Sequence, residues 1–216
     1  MDFKAVIFDL DGTLVNSLED LADSMNSVLQ NCNFLTHEIQ AYKHFVGNGI
    51  RDLVCKALPE ANKDLELIDK CYNMMIEVYR NNCVNKTKPY EGIAGLLDAL
   101  VLHKMKLAVF SNKADEFTKK IVLNLLPDWT FEAIIGLSTE EHKKPNPFGV
   151  LQISEKTGIC PADIIYVGDS GIDMQTANNA GMYAVGALWG FRTEEELTLN
   201  GAKFLLNQPF DLIDIL

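Results

Sequence analysis

Four short segments of the sequence carry carboxylates, hydroxyls and lysines in patterns that could perform chemistry. They are Asp9-Leu10-Asp11-Gly12-Thr13, Ser111-Asn112-Lys113, Lys143-Lys144-Pro145 and Gly168-Asp169-Ser170 with Asp173. Carboxylates gathered at one place repel one another and need a hard cation, and Mg²⁺ suits oxygen ligands and also bridges to phosphate. A carboxylate held in this way can act as a nucleophile, and a second carboxyl two residues later can donate a proton. A hydroxyl, a backbone N–H and a lysine can bind phosphoryl oxygens, so the four segments together indicate phosphate chemistry.

Short apolar runs precede these segments and read as buried strands. The runs cover residues 5–8, 107–110, 133–135 and 164–167, and a fifth covers 183–185. Helical periodicity fills the intervals between most of them, which predicts an α/β fold with a Rossmann-like parallel sheet. Ligands of such sheets bind beyond the carboxyl ends of the strands. We therefore expect the four segments to meet at one edge of the sheet.

One long stretch, residues 16–85, breaks the alternation because its apolar spacing predicts helices and no strand. Either Asn16 with Glu19 or Ser17 with Asp20 can cap the first of these helices. We predict an all-helical cap at 16–85, inserted after the first strand into a catalytic core that consists of residues 1–15 and 86–216.

Each segment taken alone also has a plain structural explanation. Asp9 and Asp11 could form a turn, Ser111 could cap a helix, Lys144 could be a solvated charge, and Asp169 could be an N-cap. Together these explanations require polar coincidences at the same edge of the sheet, which makes them poor as a set. No GxxxxGK[ST] loop is present, which excludes a P-loop nucleotide enzyme.

The composition of the chain excludes several classes of partner and indicates where the protein is found. The 216 residues include 19 Lys and Arg against 30 Asp and Glu, a net charge of −11, which argues against nucleic acid or an anionic membrane as a partner. No apolar run approaches the roughly 20 residues of a spanning helix, and the acidic N-terminus does not resemble a signal peptide. Five cysteines without a CxxC pair indicate reduced thiols and a cytoplasmic protein. We expect a monomer or homodimer that binds a small phosphorylated metabolite.

In their order and residue types, the four segments resemble the motifs of the haloacid dehalogenase-like hydrolase superfamily, and residues 16–85 resemble its helical cap. Within the superfamily the chain is similar to the phosphoglycolate phosphatases, on residues 45–49 (FVGNG) and 188–192 (LWGFR). The resemblance implies a Mg²⁺-dependent phosphatase that hydrolyses a small organic phosphomonoester, first of all 2-phosphoglycolate, through an aspartyl-phosphate. An inorganic pyrophosphatase or a phosphosugar mutase of the same superfamily is the alternative.

The resemblance also implies a role for each motif residue. Asp9 would be the nucleophile and Asp11 the general acid and base. The expected phosphate ligands are Ser111, Asn112 and Lys144; the expected magnesium ligands are Asp9, Asp11 through its main-chain carbonyl, and Asp169. Supporting roles fall to Thr13, Gly168, Ser170 and Asp173, and Asp173 is expected to orient Lys144 or a metal-bound water. We choose Lys144 over Lys143 because Lys144 directly precedes Pro145.

Substrate specificity is expected from the cap. Arg51 could pair with a substrate carboxylate, with a solvated helix arginine as the alternative. Gly47 and Gly49 could allow the backbone to approach a ligand or could only form a turn, and Lys113 could add positive potential or begin a helix in solvent. Arg192 receives no role. A non-enzymatic phospho-receiver-like domain uses a similar set of residues, but the helical insert and the Asp9–Asp11 pair argue against it.

Overall fold

The computed structural model describes residues 3–216, and its strands form one large sheet and one small one. The strands are β1 (Ala5–Phe8), β2 (Val15–Asn16), β3 (Lys88–Pro89), β4 (Lys106–Ala114), β5 (Ala133–Leu137), β6 (Ile164–Gly168), β7 (Tyr183–Ala187) and β8 (Phe204–Leu206). The large sheet has the order β5-β4-β1-β6-β7-β8, and every neighbouring pair in it is parallel. This arrangement confirms the predicted parallel α/β fold and places β1 at the centre.

Nine α-helices accompany the strands in the described part of the chain. They are α1 (Leu18–Asn31), α2 (Ile39–Phe45), α3 (Gly49–Ala57), α4 (Leu65–Asn82), α5 (Ile93–Leu102), α6 (Asp115–Leu125), α7 (Phe148–Thr157), α8 (Gly171–Asn179) and α9 (Glu194–Leu199). No helix within 3–216 combines the length and the apolar character needed to cross a membrane.

Both faces of the sheet are covered because successive side chains of each strand point to opposite sides. On β1, Val6 and Phe8 pack into a cluster that contains residues of α5 and α6, while Ala5 and Ile7 pack into a second cluster with residues of α7 and α8. A strand that is buried on both faces reads as a continuous apolar run, which is why β1 could be recognised from its sequence.

The helical segment lies between β2 and β3. Helices α1 to α4 follow β2, and β2 pairs with β3 in an antiparallel manner where the chain returns to the core. The main-chain N–H groups of Lys86 and Thr87 donate to the Asp20 carboxylate, which fixes the returning chain against α1. The boundaries at 15/16 and 85/86 stay predictions.

Strand β4 is longer than expected. Residues 111–113 were expected to follow the strand, but β4 continues to Ala114. Its register shifts after Phe110, which pairs with Ile135, so that the next matched pair is Ala114 with Leu137. Such irregularities occur next to active sites because they redirect side chains. The short strands β2, β3 and β8 were not predicted, because two or three residues carry no usable periodicity.

Candidate active site

Asp9 begins the site at the carboxyl end of β1. Its main-chain N–H still donates to Val167 O at 2.9 Å, which continues the sheet, while its carboxylate faces Lys144. Asp9 Oδ1 lies 2.9 Å from Lys144 Nζ, yet no donor within the described residues meets this buried oxygen with hydrogen-bond geometry. Burial raises the pKa of Asp9 to about 6 against the lowering effect of Lys144. Burial therefore disfavours the charged form of Asp9, and the ammonium of Lys144 offsets only part of that cost.

Lys144 is the central cation of the site. Its Nζ lies 2.7 Å from Asp173 Oδ1 and donates to Tyr166 Oη at 3.1 Å, and its side chain is 2% exposed. Burial opposes the positive charge, but the Asp173 and Asp9 carboxylates raise the pKa of Lys144 well above its ordinary value. The neighbouring Lys143 pairs with Glu140 on the surface instead. The structure thus brings Lys144, and not Lys143, to the carboxylates.

Asp169, at the carboxyl end of β6, is held from several sides. Its Oδ2 accepts from the Phe191 N–H at 2.7 Å, and its Oδ1 accepts from Thr13 Oγ1 at 3.3 Å. A side chain at either Gly12 or Gly190 would place Cβ 2.3 Å from an Asp169 atom, so these two positions require glycine. Burial and the Asp173 and Asp9 carboxylates raise the pKa of Asp169 well above its usual range.

Ser170 and Asp173 form a reciprocal cap at the start of α8. Ser170 Oγ donates to Asp173 Oδ2 at 2.6 Å, and the Ser170 N–H donates to the same oxygen at 3.1 Å. Gly168 is required here because its Cβ would lie 2.3 Å from Asp173 Cβ. The other Asp173 oxygen accepts from Lys144 Nζ at 2.7 Å and from Tyr166 Oη at 3.2 Å, so Asp173 can orient Lys144.

Three carboxylates approach closely enough to share one ion. One oxygen from each of Asp9, Asp169 and Asp173 lies within 4.8 Å of the others, and all three residues are buried. Oxygen donors of this kind match the preference of Mg²⁺. The donor set therefore fits a hard divalent cation.

Asp11 lies beside this cluster and has partners of its own. Both of its oxygens accept from Lys113 Nζ, at 3.0 and 2.8 Å, and Oδ1 also accepts from Ser17 Oγ at 2.5 Å. Of the two caps expected for α1, the Ser17 side chain makes no cap hydrogen bond, because its hydroxyl donates to Asp11, whereas Asn16 Oδ1 accepts from the Leu18 N–H at 3.2 Å. A solvated Lys113 at the start of a helix is wrong, since Lys113 lies in β4 with a side chain that is 2% exposed.

Ser111 and Asn112 are buried in the irregular part of β4. The Asn112 amide connects two parts of the site: its Oδ1 accepts from the Lys144 N–H at 2.8 Å, and its Nδ2 donates to Gly47 O at 3.2 Å. The turn before α3 therefore contacts the same irregular part of β4 that contains Ser111. Gly49 takes a positive φ of 82° in this turn, close to Asn112 O.

A pocket opens between these residues and the helical segment. Its walls come from the strand ends (Asp9, Asp11, Ser111, Asn112, Lys113, Asp169, Ser170), from the loop after β7 (Phe191, Arg192) and from helices α1 and α3 with the turn between α2 and α3 (Leu21, Val46, Gly47, Gly49, Ile50, Leu53). Asp9, Asp11, Ser111 and Asn112 thus share one pocket with apolar residues of the helical segment. Lys144 is not among the residues that line this pocket and meets the site through its contact with Asp9.

The structure does not bring Arg51 into this pocket. Its guanidinium pairs with Asp69 Oδ1 at 2.6 Å, and both side chains are about half exposed, at 44% and 57%. Arg51 instead lines a separate groove together with Tyr72 and Glu140. An exposed ion pair of this kind contributes little, because water competes for both charges. The position of Arg51 therefore agrees with the alternative of a solvated helix arginine. Gly47 and Gly49 line the pocket and also form the turn, so both interpretations of these glycines agree with their positions.

Sequence reasoning missed three residues that the structure places at the site. Ser17 contacts Asp11, Tyr166 contacts Lys144 and Asp173, and Arg192 lines the pocket. Tyr166 lies on the predicted strand β6, and its polar tip within an apolar run was the available signal. No local feature of the sequence pointed to the contacts of Ser17 or Arg192.

Comparison with known proteins agrees with this geometry. The haloacid dehalogenase-like hydrolase family model matches residues 6–187. The chain is 34% identical to a phosphoglycolate phosphatase of Aquifex aeolicus over 99% of this chain and 96% of that protein, and 31% identical to one of Chromobacterium violaceum over the same shares. The crystal structure of a predicted phosphoglycolate phosphatase from Haemophilus somnus superposes with a TM-score of 0.91 at 29% identity, and the match covers 100% of this chain and 98% of that one. The chain therefore belongs to the haloacid dehalogenase-like hydrolase family, among its phosphatases.

Proposed function

We propose that the protein is a Mg²⁺-dependent phosphatase for a small organic phosphomonoester, with 2-phosphoglycolate as the first candidate. The observation that carries the proposal is the convergence of Asp9, Asp169 and Asp173 with Lys144 at the ends of adjacent strands. The relatives named phosphoglycolate phosphatase support the choice of substrate.

Asp9 is the nucleophile in this proposal. One of its carboxylate oxygens attacks phosphorus, the bond from phosphorus to the ester oxygen breaks, and an aspartyl-phosphate forms. Lys144, Ser111 and the Asn112 N–H bind the non-bridging phosphoryl oxygens, which become more negative in the transition state. Lys144 is already 2.9 Å from Asp9, so the same ammonium can contact both the nucleophile and the phosphoryl group.

Asp11 moves the protons. Its carboxyl donates a proton to the departing ester oxygen, and the resulting carboxylate then removes a proton from the water that attacks the aspartyl-phosphate, which regenerates Asp9 and releases phosphate. Lys113 and Ser17 hold the Asp11 carboxylate at the wall of the pocket, where the leaving group would lie.

A magnesium ion would be held by Asp9, Asp169 and the main-chain carbonyl of Asp11, and when bound it would supply positive charge next to the phosphoryl group. Asp173 keeps Lys144 in place and contributes negative charge to the same cluster. Asp9 Oδ1 faces the Lys144 ammonium at 2.9 Å without hydrogen-bond geometry, which is consistent with a cation as its further partner.

A substrate panel tests the function. With Mg²⁺ present, we expect multiple turnovers and a kcat/KM for 2-phosphoglycolate at least about tenfold above that for ethyl phosphate, pyrophosphate or a hexose phosphate. A preference for pyrophosphate would assign a pyrophosphatase, and a burst that requires a bisphosphate activator would assign a mutase. Release of a single phosphate per protein would contradict an enzyme and favour a receiver-like domain.

Chelation of divalent cations should stop turnover, and added Mg²⁺ should restore it, because the clustered carboxylates would repel a phosphate dianion without a cation. Mg²⁺ should also raise the thermal unfolding temperature of the metal-free protein, because an ion that binds only the folded state stabilises it. Asp169→Asn should weaken both effects. Asp64→Asn is the matched control, since Asp64 only caps α4 and asparagine caps equally well. Full activity after exhaustive chelation would contradict the metal site.

A further inference from the structure

Arg192 reaches from the core to the helical segment. It follows β7 in the loop that also contains Phe191, and its side chain is 17% exposed. Nη2 donates to Val46 O at 2.7 Å, and Nη1 donates to Lys43 O. Both acceptors are main-chain carbonyls at the end of α2, about 150 residues away in sequence: the separations are 146 and 149 residues.

The end of α2 explains why a guanidinium binds there. Helix α2 ends at Phe45, so the carbonyls of its last turn have no partner within the helix and carry the negative end of the helix dipole. A planar guanidinium can donate to two such oxygens at once from separate nitrogens. Arg192 therefore acts as a C-cap for α2 that is supplied by a different part of the fold.

The same loop connects this cap to the catalytic cluster. The N–H of Phe191, next to Arg192, binds Asp169 Oδ2 at 2.7 Å. The turn that follows Val46 forms one wall of the pocket, and its Gly47 O also accepts from Asn112. The loop after β7 thus holds a candidate metal ligand on one side and the cover of the pocket on the other.

We infer that Arg192 is a positioning residue that latches the turn between α2 and α3 over the active-site pocket. The inference rests on the proposed function only in taking the pocket as the place where a phosphomonoester binds. Arg192 need not touch the substrate: both of its Nη nitrogens already donate to carbonyls, and its Nε lies 3.6 Å from Glu196 Oε1. Without the latch, the turn is held by the Asn112 contact with Gly47 O, and the closed pocket is less populated.

Arg192→Met tests the latch, because methionine keeps the apolar stem and removes the N–H donors to both carbonyls, together with the 3.6 Å pair between Arg192 Nε and Glu196. We expect KM to rise about tenfold while kcat changes less than about threefold, since saturating substrate closes the pocket again. The loss should be equal for 2-phosphoglycolate and for ethyl phosphate, which lacks a carboxylate. Arg192→Lys keeps the charge but has a single donating nitrogen, which cannot reach both carbonyls as the guanidinium does. Most of the rise in KM should therefore remain.

Amide hydrogen exchange of the whole protein without substrate gives a second measurement. In Arg192→Met, the amides of residues 43–49 should exchange about tenfold faster while those of β1 remain protected. Arg80→Met is the matched control: Arg80 also joins the helical segment to the core, but through a half-exposed pair with Glu116, and should change neither exchange at 43–49 nor KM.

Three results would overturn the latch: unchanged exchange at 43–49 with an unchanged KM, a loss confined to 2-phosphoglycolate, or full recovery in Arg192→Lys. The second result would make Arg192 a ligand of the substrate carboxylate. Failure of the proposed function is distinguishable, because the exchange measurement needs no substrate and the kinetic comparison can use p-nitrophenyl phosphate.

Discussion

Replacing Asp9 with asparagine is expected to reduce phosphate release by about 10⁴-fold or more, the size of loss that follows removal of a covalent nucleophile. The amide nearly matches the carboxylate in shape but attacks phosphorus poorly. Acid-quenched protein should carry labelled phosphate in the wild type and none in the variant. Asp23→Asn is the control, because Asp23 lies in a half-exposed pair with Lys86 and should retain activity within about twofold of wild type.

In metal-free protein, Asp9→Asn should be at least as stable as the wild type. Burial raises the pKa of Asp9 from its ordinary value of 3.8 to about 6, so the folded protein disfavours the ionised form more than the unfolded chain does. The free energy of unfolding should therefore fall as pH rises from about 4 to about 6, and asparagine should lack this contribution. Thermal unfolding of metal-free protein at pH 7 should give a transition temperature for Asp9→Asn equal to or above that of wild type. An inactive variant that is also strongly destabilised would contradict this prediction, and activity within tenfold of wild type would refute the nucleophile.

The main features of the fold and the motif positions could be predicted because they depend on local patterns. An apolar run such as residues 5–8 predicts a buried strand, and a parallel sheet brings the residues after its strands to one edge. Asp9 and Asp169 therefore come together although 160 residues separate them in the sequence. The resemblance to a known family then assigned them roles.

Partner choice could not be predicted in the same way, because it depends on how distant elements pack. The sequence left Lys113 either as a source of positive potential or as a solvated lysine, and it could not show that Lys113 lies buried against Asp11, 102 residues away. Ser17 satisfies every local rule for an N-cap, but a charged acceptor at 2.5 Å outcompetes the helix for its hydroxyl. Arg51 was the arginine expected at the pocket and Arg192 had no expected role, yet Arg192 lines the pocket and Arg51 does not, because the packing of α2 and α3 decides which guanidinium meets it.

Lys144→Met is expected to lower activity and to destabilise the protein at the same time. The substitution leaves Asp9 and Asp173 without the buried ammonium that now lies 2.9 and 2.7 Å from their oxygens. Breaking one side of a buried ion pair typically costs about 3–5 kcal/mol in the free energy of unfolding. Loss of a donor to the phosphoryl group should lower kcat by about a hundredfold to a thousandfold. Lys143→Met is the matched control, because Lys143 is next to Lys144 in the sequence but its side chain pairs with the exposed Glu140.

A second substitution separates the two consequences of losing Lys144. Asp173→Asn added to Lys144→Met removes one of the uncompensated charges, so part of the lost stability should return. Activity should not return, because no ammonium faces the phosphoryl group. Urea unfolding gives the free energies, and phosphate release with saturating Mg²⁺ gives the rates. If the double variant recovered turnover together with stability, Lys144 would only balance the charges of the cluster, and the phosphoryl oxygens would be bound by Ser111 and the Asn112 N–H without it.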